Sequence, residues 1–346
     1  MSKNQFLQED NKKEHSGNSR SSRGRVWFFK TLHLLCILGF LVFASLLVNE
    51  VFLQPYLVKK SIEQTRDLYN KPIETTQTIP SAVTPGATSL PTATPGDARI
   101  PLPQFNDLLT ICPDVKGWLS IPETDIDYVV AQGRADDPNY YLDKDLYGNY
   151  SKAGTLYLDL RGSIEANSKN LVIHGHNMVS TKEKMFHSLL EYKKTSYYKE
   201  HPVISFDTLY STGLWKVFAV FISNGSDDKE PLFDYRKATF NDSSDFLNFV
   251  YQIRIRSLLN TEVDIQEDDQ ILCLSTCSYE VDDYRTVVVA RKVRPGEAPT
   301  VEVEEAEPNP APLFPASYYY RYGGEAPALS NTFEDAYANG EISWYK

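Results

Sequence analysis

The longest apolar run of the chain lies near its N-terminus. Residues 34–48 contain no charged side chain, and apolar neighbours extend the run to residues 31–53. Because about 20 apolar residues cross the hydrocarbon core of a bilayer, this run is predicted to be a transmembrane signal anchor. Residues 1–30 hold seven lysines and arginines against three acidic residues, so the positive-inside rule predicts a cytoplasmic N-terminus and an extracellular remainder. A cleaved signal peptide is the alternative, but the run is long for one and no clean A-x-A site precedes Asn49.

The next segment changes from a helical pattern to an irregular one. Residues 54–70 suit a helix above the membrane, whereas residues 71–103 contain seven prolines among threonine, serine, alanine and glycine. That composition cannot bury a core and is typical of a semi-extended stalk. Residues 54–103 are therefore predicted to form a juxtamembrane helix followed by a Pro/Thr-rich stalk.

Between residues 104 and 294, short runs alternate apolar with polar side chains, which predicts half-buried β-strands. Residues 246–259 repeat apolar side chains at helical spacing instead, and Ser243, Ser244 or Asp245 can cap that helix. Many short strands with one or two helices predict a mainly-β domain, either a small barrel or a sandwich. The strand candidates are GWLSIP, IDYVV, GTLYLDL, NLVIH, PVISFDT, LWKVFAVFIS, ILCLSTC and RTVVVARKV.

Residues 295–346 have a different composition from the domain before them. They hold nine acidic residues against Arg321 and Lys346, and the first part is rich in proline. This predicts an acidic, solvated and disordered tail. The aromatic segments SYYYRYGG and EISWYK are the parts expected to dock on the domain.

Composition narrows the class of protein further. The 346 residues are 42% hydrophobic, enough for one substantial domain with appendages. A net charge of −11 argues against a nucleic-acid partner. The four cysteines predict no disulfide framework, because Cys273 and Cys277 lie on one predicted strand, about 13 Å apart. Cys277 is therefore expected to be a free thiol.

Cys277 and Arg285 are expected to lie close together. The segment between the two apolar limbs ILCLSTC and RTVVVARKV is too short for a helical crossover, so an antiparallel hairpin is predicted. The hairpin brings Cys277, where the first strand ends, near Arg285, where the second begins. A neighbouring guanidinium favours the thiolate form of a cysteine. The alternative is a structural cysteine near a surface arginine.

Two histidines at the end of the strand KNLVIH add an acid–base group. His174 and His176 share a face if that strand continues, but Gly175 leaves open whether His176 lies in the loop. An H-x-H pair with a cysteine is one route to a zinc site, yet no C-x-x-C or further His/Cys cluster supports it, so no metal is expected. A strand-end histidine, a strand-end cysteine and a hairpin arginine together indicate nucleophilic acyl transfer.

These motifs resemble those of the sortase family. LSTC, followed eight residues after its cysteine by Arg285, resembles the sortase TLxTC…R signature, and VIHGHNM resembles the strand that ends in a Gly-His pair. The resemblance covers roughly residues 105–293, including GWLSIP, IDYVV and MFHSLLEY, and is greatest for class B sortases. It implies a mainly-β fold, a closed eight-stranded sortase-type β-barrel with a few peripheral helices, after an N-terminal transmembrane helix. It implies no cofactor.

By this resemblance, Cys277 is the nucleophile, His176 the general acid and base, and Arg285 the group that holds the substrate carbonyl or oxyanion. Thr276 is expected to donate to the intermediate, and His174 to support the site. The run Leu272-Cys273-Leu274 departs from the signature, because the usual leading threonine is absent.

The resemblance also implies the reaction and its partners. A sorting signal on a surface protein or pilin is cleaved after its threonine, a thioester forms on Cys277, and an amine of a peptidoglycan precursor (lipid II) or a pilin lysine accepts the product. An L,D-transpeptidase is an alternative, but its arginine typically follows the cysteine directly, where this chain has Ser278. A non-catalytic anchored binding protein is the other alternative.

Overall fold

The computed structural model describes residues 20–72, 99–179, 184–226, 228 and 230–345, with side chains from residue 25. The predicted stalk lies mostly outside the described residues, at 73–98. The strands are β1 (Val115–Ser120), β2 (Asp127–Gln132), β3 (Leu156–Leu158), β4 (Asn170–His174), β5 (Val203–Thr208), β6 (Leu214–Asn224), β7 (Leu259–Asn260), β8 (Ile271–Ser278), β9 (Tyr284–Lys292) and β10 (Glu307–Pro308). The α-helices are α1 (Arg20–Val48), α2 (Gln54–Tyr69), α3 (Asn106–Ile111), α4 (Thr195–Glu200), α5 (Ser243–Arg254), α6 (Ala316–Tyr322) and α7 (Phe333–Ala338).

Within these residues, eight strands are hydrogen-bonded into a closed ring in the order β1, β2, β3, β4, β8, β9, β6 and β5. Pairing of β5 with β1 closes the ring. Neighbouring strands are antiparallel except for the pairs β2–β3 and β4–β8, which are parallel. The prediction of a mainly-β domain is confirmed.

Strand β8 is buried on both faces. Leu272 and Leu274 belong to the apolar cluster to which all eight ring strands contribute. Ile271 and Cys273 belong instead to a second cluster, which contains Phe246 and other residues of α5. Burial on both faces explains why β8 is a nearly continuous apolar run instead of an alternating one. The odd-numbered positions of β8 therefore face the same side of the sheet as α5.

Helix α5 is shorter than the sequence pattern predicted. It begins after Asp242, whose carboxylate accepts a hydrogen bond from the Asp245 amide at 2.8 Å, and it ends at Arg254. The last two apolar residues of the predicted helix are outside it. Leu258 donates its amide to the Val220 carbonyl at 2.7 Å, and Leu259 begins β7. Backbone pairing with other segments has replaced the last helical turn.

Helix α2 packs against the strand domain from Leu57 onward. The chain divides into two units after Tyr56, and the second, Leu57–Lys346, contains the rest of this helix. Tyr69 stacks on Trp118 with ring centroids 4.3 Å apart and donates its hydroxyl to Asp207 at 2.8 Å. Thr65 is also buried. The end of the predicted juxtamembrane helix thus packs on the domain.

Helix α1 has the properties of a candidate membrane span. Most of it belongs to the helical segment Arg25–Tyr69, which is long and apolar enough to cross a membrane and whose most apolar window is exposed. A signal sequence near an N-terminus has the same properties.

The C-terminal extension departs from the disorder predicted for it. Glu297 accepts hydrogen bonds from Arg291 and Lys216 at 2.6 Å, and those from Arg291 lower the pKa of Glu297 well below its ordinary value. Further along, β10 pairs with β7 and Ala306 is buried. The extension is thus attached to the domain by ion pairs and by strand pairing, although most of its side chains are exposed.

Candidate active site

The cysteine and the arginine lie opposite each other on one hairpin. Strands β8 and β9 are antiparallel, and Cys277 is the register partner of Arg285. Side chains alternate along a strand, so Cys277 lies on the same face of β8 as Cys273 and Ser275. Cys277 is partly exposed, whereas Cys273 is completely buried. The predicted hairpin and its pairing are therefore present.

His176 follows the strand beside the cysteine. Strand β4 runs parallel to β8, and its last residue, His174, is in register with Ser275. Extending the same register by two residues along both segments would bring His176 level with Cys277. The Gly175 amide donates to the Ser275 carbonyl at 3.2 Å, a bond that belongs to this last pair, and β4 ends at His174, so His176 lies in the loop that follows. Adjacent strands are about 4.8 Å apart, so a chain that stays extended past His174 would bring His176 beside Cys277.

The imidazole of His176 is oriented by a backbone carbonyl. Its Nε2 lies 2.8 Å from the carbonyl oxygen of Leu142, at the end of the 3-10 turn Tyr140–Leu142. A carbonyl oxygen only accepts hydrogen bonds, so Nε2 carries the proton and donates it. The other ring nitrogen, Nδ1, is left to exchange a proton with a neighbouring group. Residue types alone gave no signal for this acceptor, because it is a main-chain atom.

Asn177 connects the histidine loop to the cysteine strand. It is buried, and its Nδ2 donates to the Cys277 carbonyl at 3.1 Å. Its side-chain oxygen lies 2.7 Å from Nδ1 of His187. The amide therefore holds the backbone at Cys277 against the loop that carries His176. The sequence segment HGHN contained this residue, but nothing in it indicated the role.

His174 has an acidic partner. Its Nε2 lies 3.1 Å from Asp159, and its ring is 5.4 Å from that of Tyr157. Burial alone raises the pKa of Asp159, but hydrogen bonds from His174 and the Arg161 amide outweigh burial and lower it. Burial is also the main cause that raises the pKa of Tyr157 to about 12, while the charge of Arg285 opposes that change. His174 is thus held by Asp159 at the end of β4.

Thr276 is engaged with the backbone of the neighbouring strand. Its side chain is buried, and its hydroxyl donates to the Gly175 carbonyl at 2.8 Å. It lies on the opposite face of β8 from Cys277 because successive side chains alternate. The predicted donation to a reaction intermediate requires that hydroxyl proton to leave Gly175.

Removing this hydroxyl should destabilise the protein. Thr276→Val leaves the half-buried Gly175 carbonyl without this donor, which is expected to lower the free energy of unfolding by about 1 kcal/mol. Thr276→Ser keeps the donor and should cost less. Chemical denaturation of the full-length chain in detergent measures both. Equal free energies of unfolding for Thr276→Val and the unmodified protein would show that this hydrogen bond does not stabilise the fold.

Charged groups fix the turn between the cysteine and the arginine. Arg285 pairs with Asp283 at 3.2 Å, and Lys193 forms an ion pair with Glu280. Burial raises the pKa of Glu280, but the hydrogen bond from Lys193 is among the effects that outweigh it and lower the pKa. Lys193 also donates to the Ser278 hydroxyl at 3.1 Å. The residue after Cys277 is thus linked to a different part of the domain.

Comparison with known proteins identifies the family. A family model described as the Sortase domain matches residues 119–293. Sortase B of Staphylococcus aureus is 29% identical over 194 residues, 56% of this chain and 75% of that protein. Sortase B of Listeria monocytogenes is 30% identical over 179 residues, 52% of this chain and 69% of that protein. The solved structure of sortase B from Bacillus anthracis in complex with AAEK2 is similar with a TM-score of 0.55 at 25% identity, covering 69% of this chain and 97% of that one.

The matched region contains the closed ring of strands except for the start of β1, and the mainly-β, sortase-type fold expected from the sequence is confirmed. The chain belongs to the sortase family and is a class B sortase, a cysteine transpeptidase.

Proposed function

We propose that Cys277 is the nucleophile, that His176 is the general acid and base, and that Arg285 stabilises the oxyanion. The observation that carries this proposal is the register of three neighbouring strands. Arg285 on β9 is paired with Cys277 on β8, and His176 follows β4, whose last residue, His174, is paired with Ser275 on β8. Acyl transfer to a thiol requires a nucleophile, a proton carrier and a cation, and these three residues lie at or near the ends of neighbouring strands.

The reaction follows from these positions. The Cys277 thiolate attacks the carbonyl carbon of the threonine in a sorting signal, and negative charge develops on the oxygen. The C–N bond breaks as His176 donates a proton to the leaving amine, and a thioester remains. An acceptor amine then attacks the thioester carbon, His176 takes the proton from that amine, and the thiolate leaves. The product is a new amide bond.

Arg285→Ala should lower kcat/KM for peptide cleavage by about 10²-fold or more, because a charged donor no longer faces the developing oxyanion. Arg285→Lys keeps the charge but loses the planar fork and should give an intermediate value. Steady-state kinetics with a cleaved sorting peptide measures both. A value for Arg285→Ala within about threefold of the unmodified enzyme is incompatible with the proposed role.

Thr276 acts in this proposal through the backbone. Its bond to the Gly175 carbonyl ties the end of β4 to β8, and so keeps the next residue, His176, level with Cys277. The earlier expectation, direct donation to the intermediate, remains a prediction that kinetics of Thr276→Val can test beside its stability.

We also propose a place and partners for the enzyme. Residues 31–53 form a signal anchor, residues 1–30 lie in the cytoplasm, and the catalytic domain of residues 104–294 lies outside the cell membrane. The supporting observation is the exposed apolar helix near the N-terminus. Sortases act on proteins that bear a sorting signal, and an extracellular domain near the membrane can reach both such a substrate and an amine of lipid II or of a pilin.

A panel of sorting peptides and amine donors tests the proposal. The full-length chain in detergent is incubated with each peptide, alone and with an amine that represents either a peptidoglycan cross-bridge or a pilin lysine. We expect cleavage after threonine and amide formation with one class of amine. Cleavage at another residue, or no cleavage of any peptide, would contradict the proposed substrate.

A further inference from the structure

The loop that joins the cysteine strand to the arginine strand buries little of its own surface. This loop consists of residues 279–283, and none of its side chains is buried. Tyr279 is 67% exposed. Because little apolar surface is buried here, the conformation of the loop depends on hydrogen bonds and ion pairs from other segments. Two such segments are the 3-10 turn His187–Lys193 and helix α6.

Helix α6 contacts the loop near its start. The hydroxyl of Tyr322, the last residue of α6, donates to the Glu280 carbonyl at 2.6 Å. Glu280 lies three residues after Cys277, so this bond fixes the backbone close to the proposed nucleophile.

The same helix also contacts the far end of the loop. The Ser317 hydroxyl is hydrogen-bonded to the hydroxyl of Tyr284 at 2.5 Å, and the Ser317 amide donates to Glu230 at 2.9 Å. Tyr284 is buried and directly precedes Arg285, and its carbonyl accepts a hydrogen bond from the Arg285 guanidinium at 3.2 Å. A displacement of Tyr284 would therefore move the arginine.

The helix is itself anchored to the domain. Just before it, the Leu313 amide donates to the Ile255 carbonyl at 2.8 Å, and the Asn309 amide donates to the Leu258 carbonyl at 2.9 Å. Phe314 stacks on Tyr318 with ring centroids 3.9 Å apart. Connections at several points make α6 a fixed support for the loop instead of a loosely attached tail.

We propose that α6 is a positioning element of the transfer reaction, and that Tyr322 and Ser317 hold the 279–283 loop so that Cys277 and Arg285 keep their relative positions. Neither residue touches the reacting atoms. The proposal rests on the roles proposed above for Cys277 and Arg285. Its physical basis is the sensitivity of acyl transfer to geometry, since a misplacement of about 1 Å can cost about 10²-fold in rate.

Two tyrosines of α6 provide a matched test in the full-length chain in detergent. Tyr322→Phe removes one hydroxyl and keeps the ring, and Tyr320→Phe makes the same change at a side chain that is 95% exposed. One net hydrogen bond corresponds to about a fivefold change in an opening equilibrium. Hydrogen exchange at the amides of residues 279–284 should therefore be about fivefold faster in Tyr322→Phe and unchanged in Tyr320→Phe.

Kinetics separates a positioning role from a purely structural one. With the sorting peptide that the unmodified enzyme cleaves fastest, Tyr322→Phe should lower kcat about three- to tenfold with KM unchanged, and Ser317→Ala should act in the same direction. Unchanged exchange in Tyr322→Phe would overturn the proposal, as would faster exchange with unchanged kcat, or equal effects in Tyr320→Phe. A wrong assignment of the nucleophile is recognised separately, because Cys277→Ala would then still cleave the peptide. Hydrogen exchange at residues 279–284 would in that case still report whether α6 holds the loop.

Discussion

Replacing Cys277 with alanine is expected to abolish cleavage of a sorting peptide by the full-length enzyme. In the proposed mechanism the thiolate is the group to which the acyl group is transferred. Ser275, on the same face of β8, already shares its hydroxyl with Tyr235 at 2.9 Å. Because the change deletes only the sulfur of a partly exposed side chain, the fold should be retained. Peptide cleavage measured by chromatography, with thermal unfolding as a check of the fold, tests this.

A second accessible cysteine provides the control for that variant. All four cysteines lie in described parts of the chain, and of them Cys36 is exposed on α1 while Cys112 and Cys273 are buried. Cys36→Ala should leave cleavage unchanged. In that background Cys277 is the remaining accessible thiol, and its alkylation by iodoacetamide should stop cleavage in proportion to labelling. Full activity after complete alkylation would contradict the assignment.

Replacing His176 with alanine is expected to lower kcat/KM by about 10²–10⁴-fold, the range for loss of a general acid and base. Without this imidazole the leaving amine departs unprotonated, which is the more difficult path. The Leu142 carbonyl keeps the proton on Nε2, so Nδ1 is the nitrogen that is expected to exchange protons with the reacting groups. Steady-state kinetics with a cleaved peptide measures the loss.

His174→Ala is the matched comparison, because the two histidines are two residues apart and the chemical change is the same. His174 is paired with Asp159, at the edge of the site. Its removal should lower kcat/KM by less than the removal of His176. A larger loss in His174→Ala than in His176→Ala would exchange the roles of the two histidines and contradict the account of the site.

Local patterns in the sequence were sufficient to predict the hairpin of the candidate site. Two apolar limbs joined by a short polar segment leave few alternatives to antiparallel pairing, and Cys277 and Arg285 are indeed register partners. The position of His176 was less determined, because Gly175 left open whether the strand continues to His176 or whether His176 lies in the loop. Strand β4 ends at His174, so His176 lies in the loop, and the parallel pairing that brings this strand end beside β8 joins segments about a hundred residues apart.

Other features depend on contacts that a sequence pattern does not contain. The bond that orients His176 ends on a main-chain oxygen, and the bond that occupies Thr276 ends on another. The acidic extension was predicted to be disordered from its composition, yet it is held by Arg291, a cation that the domain buries at the start of the extension. Such partners become visible only when distant segments are brought together.

The most direct test of the proposed mechanism is the mass of the enzyme after reaction with a sorting peptide in the absence of an acceptor amine. Acid-quenched samples of the full-length chain should carry the N-terminal fragment of the peptide on Cys277, and hydroxylamine should remove it, as expected for a thioester. Cys277→Ala should carry no such adduct. An adduct that persists in Cys277→Ala, or that maps to another residue, would contradict the central claim.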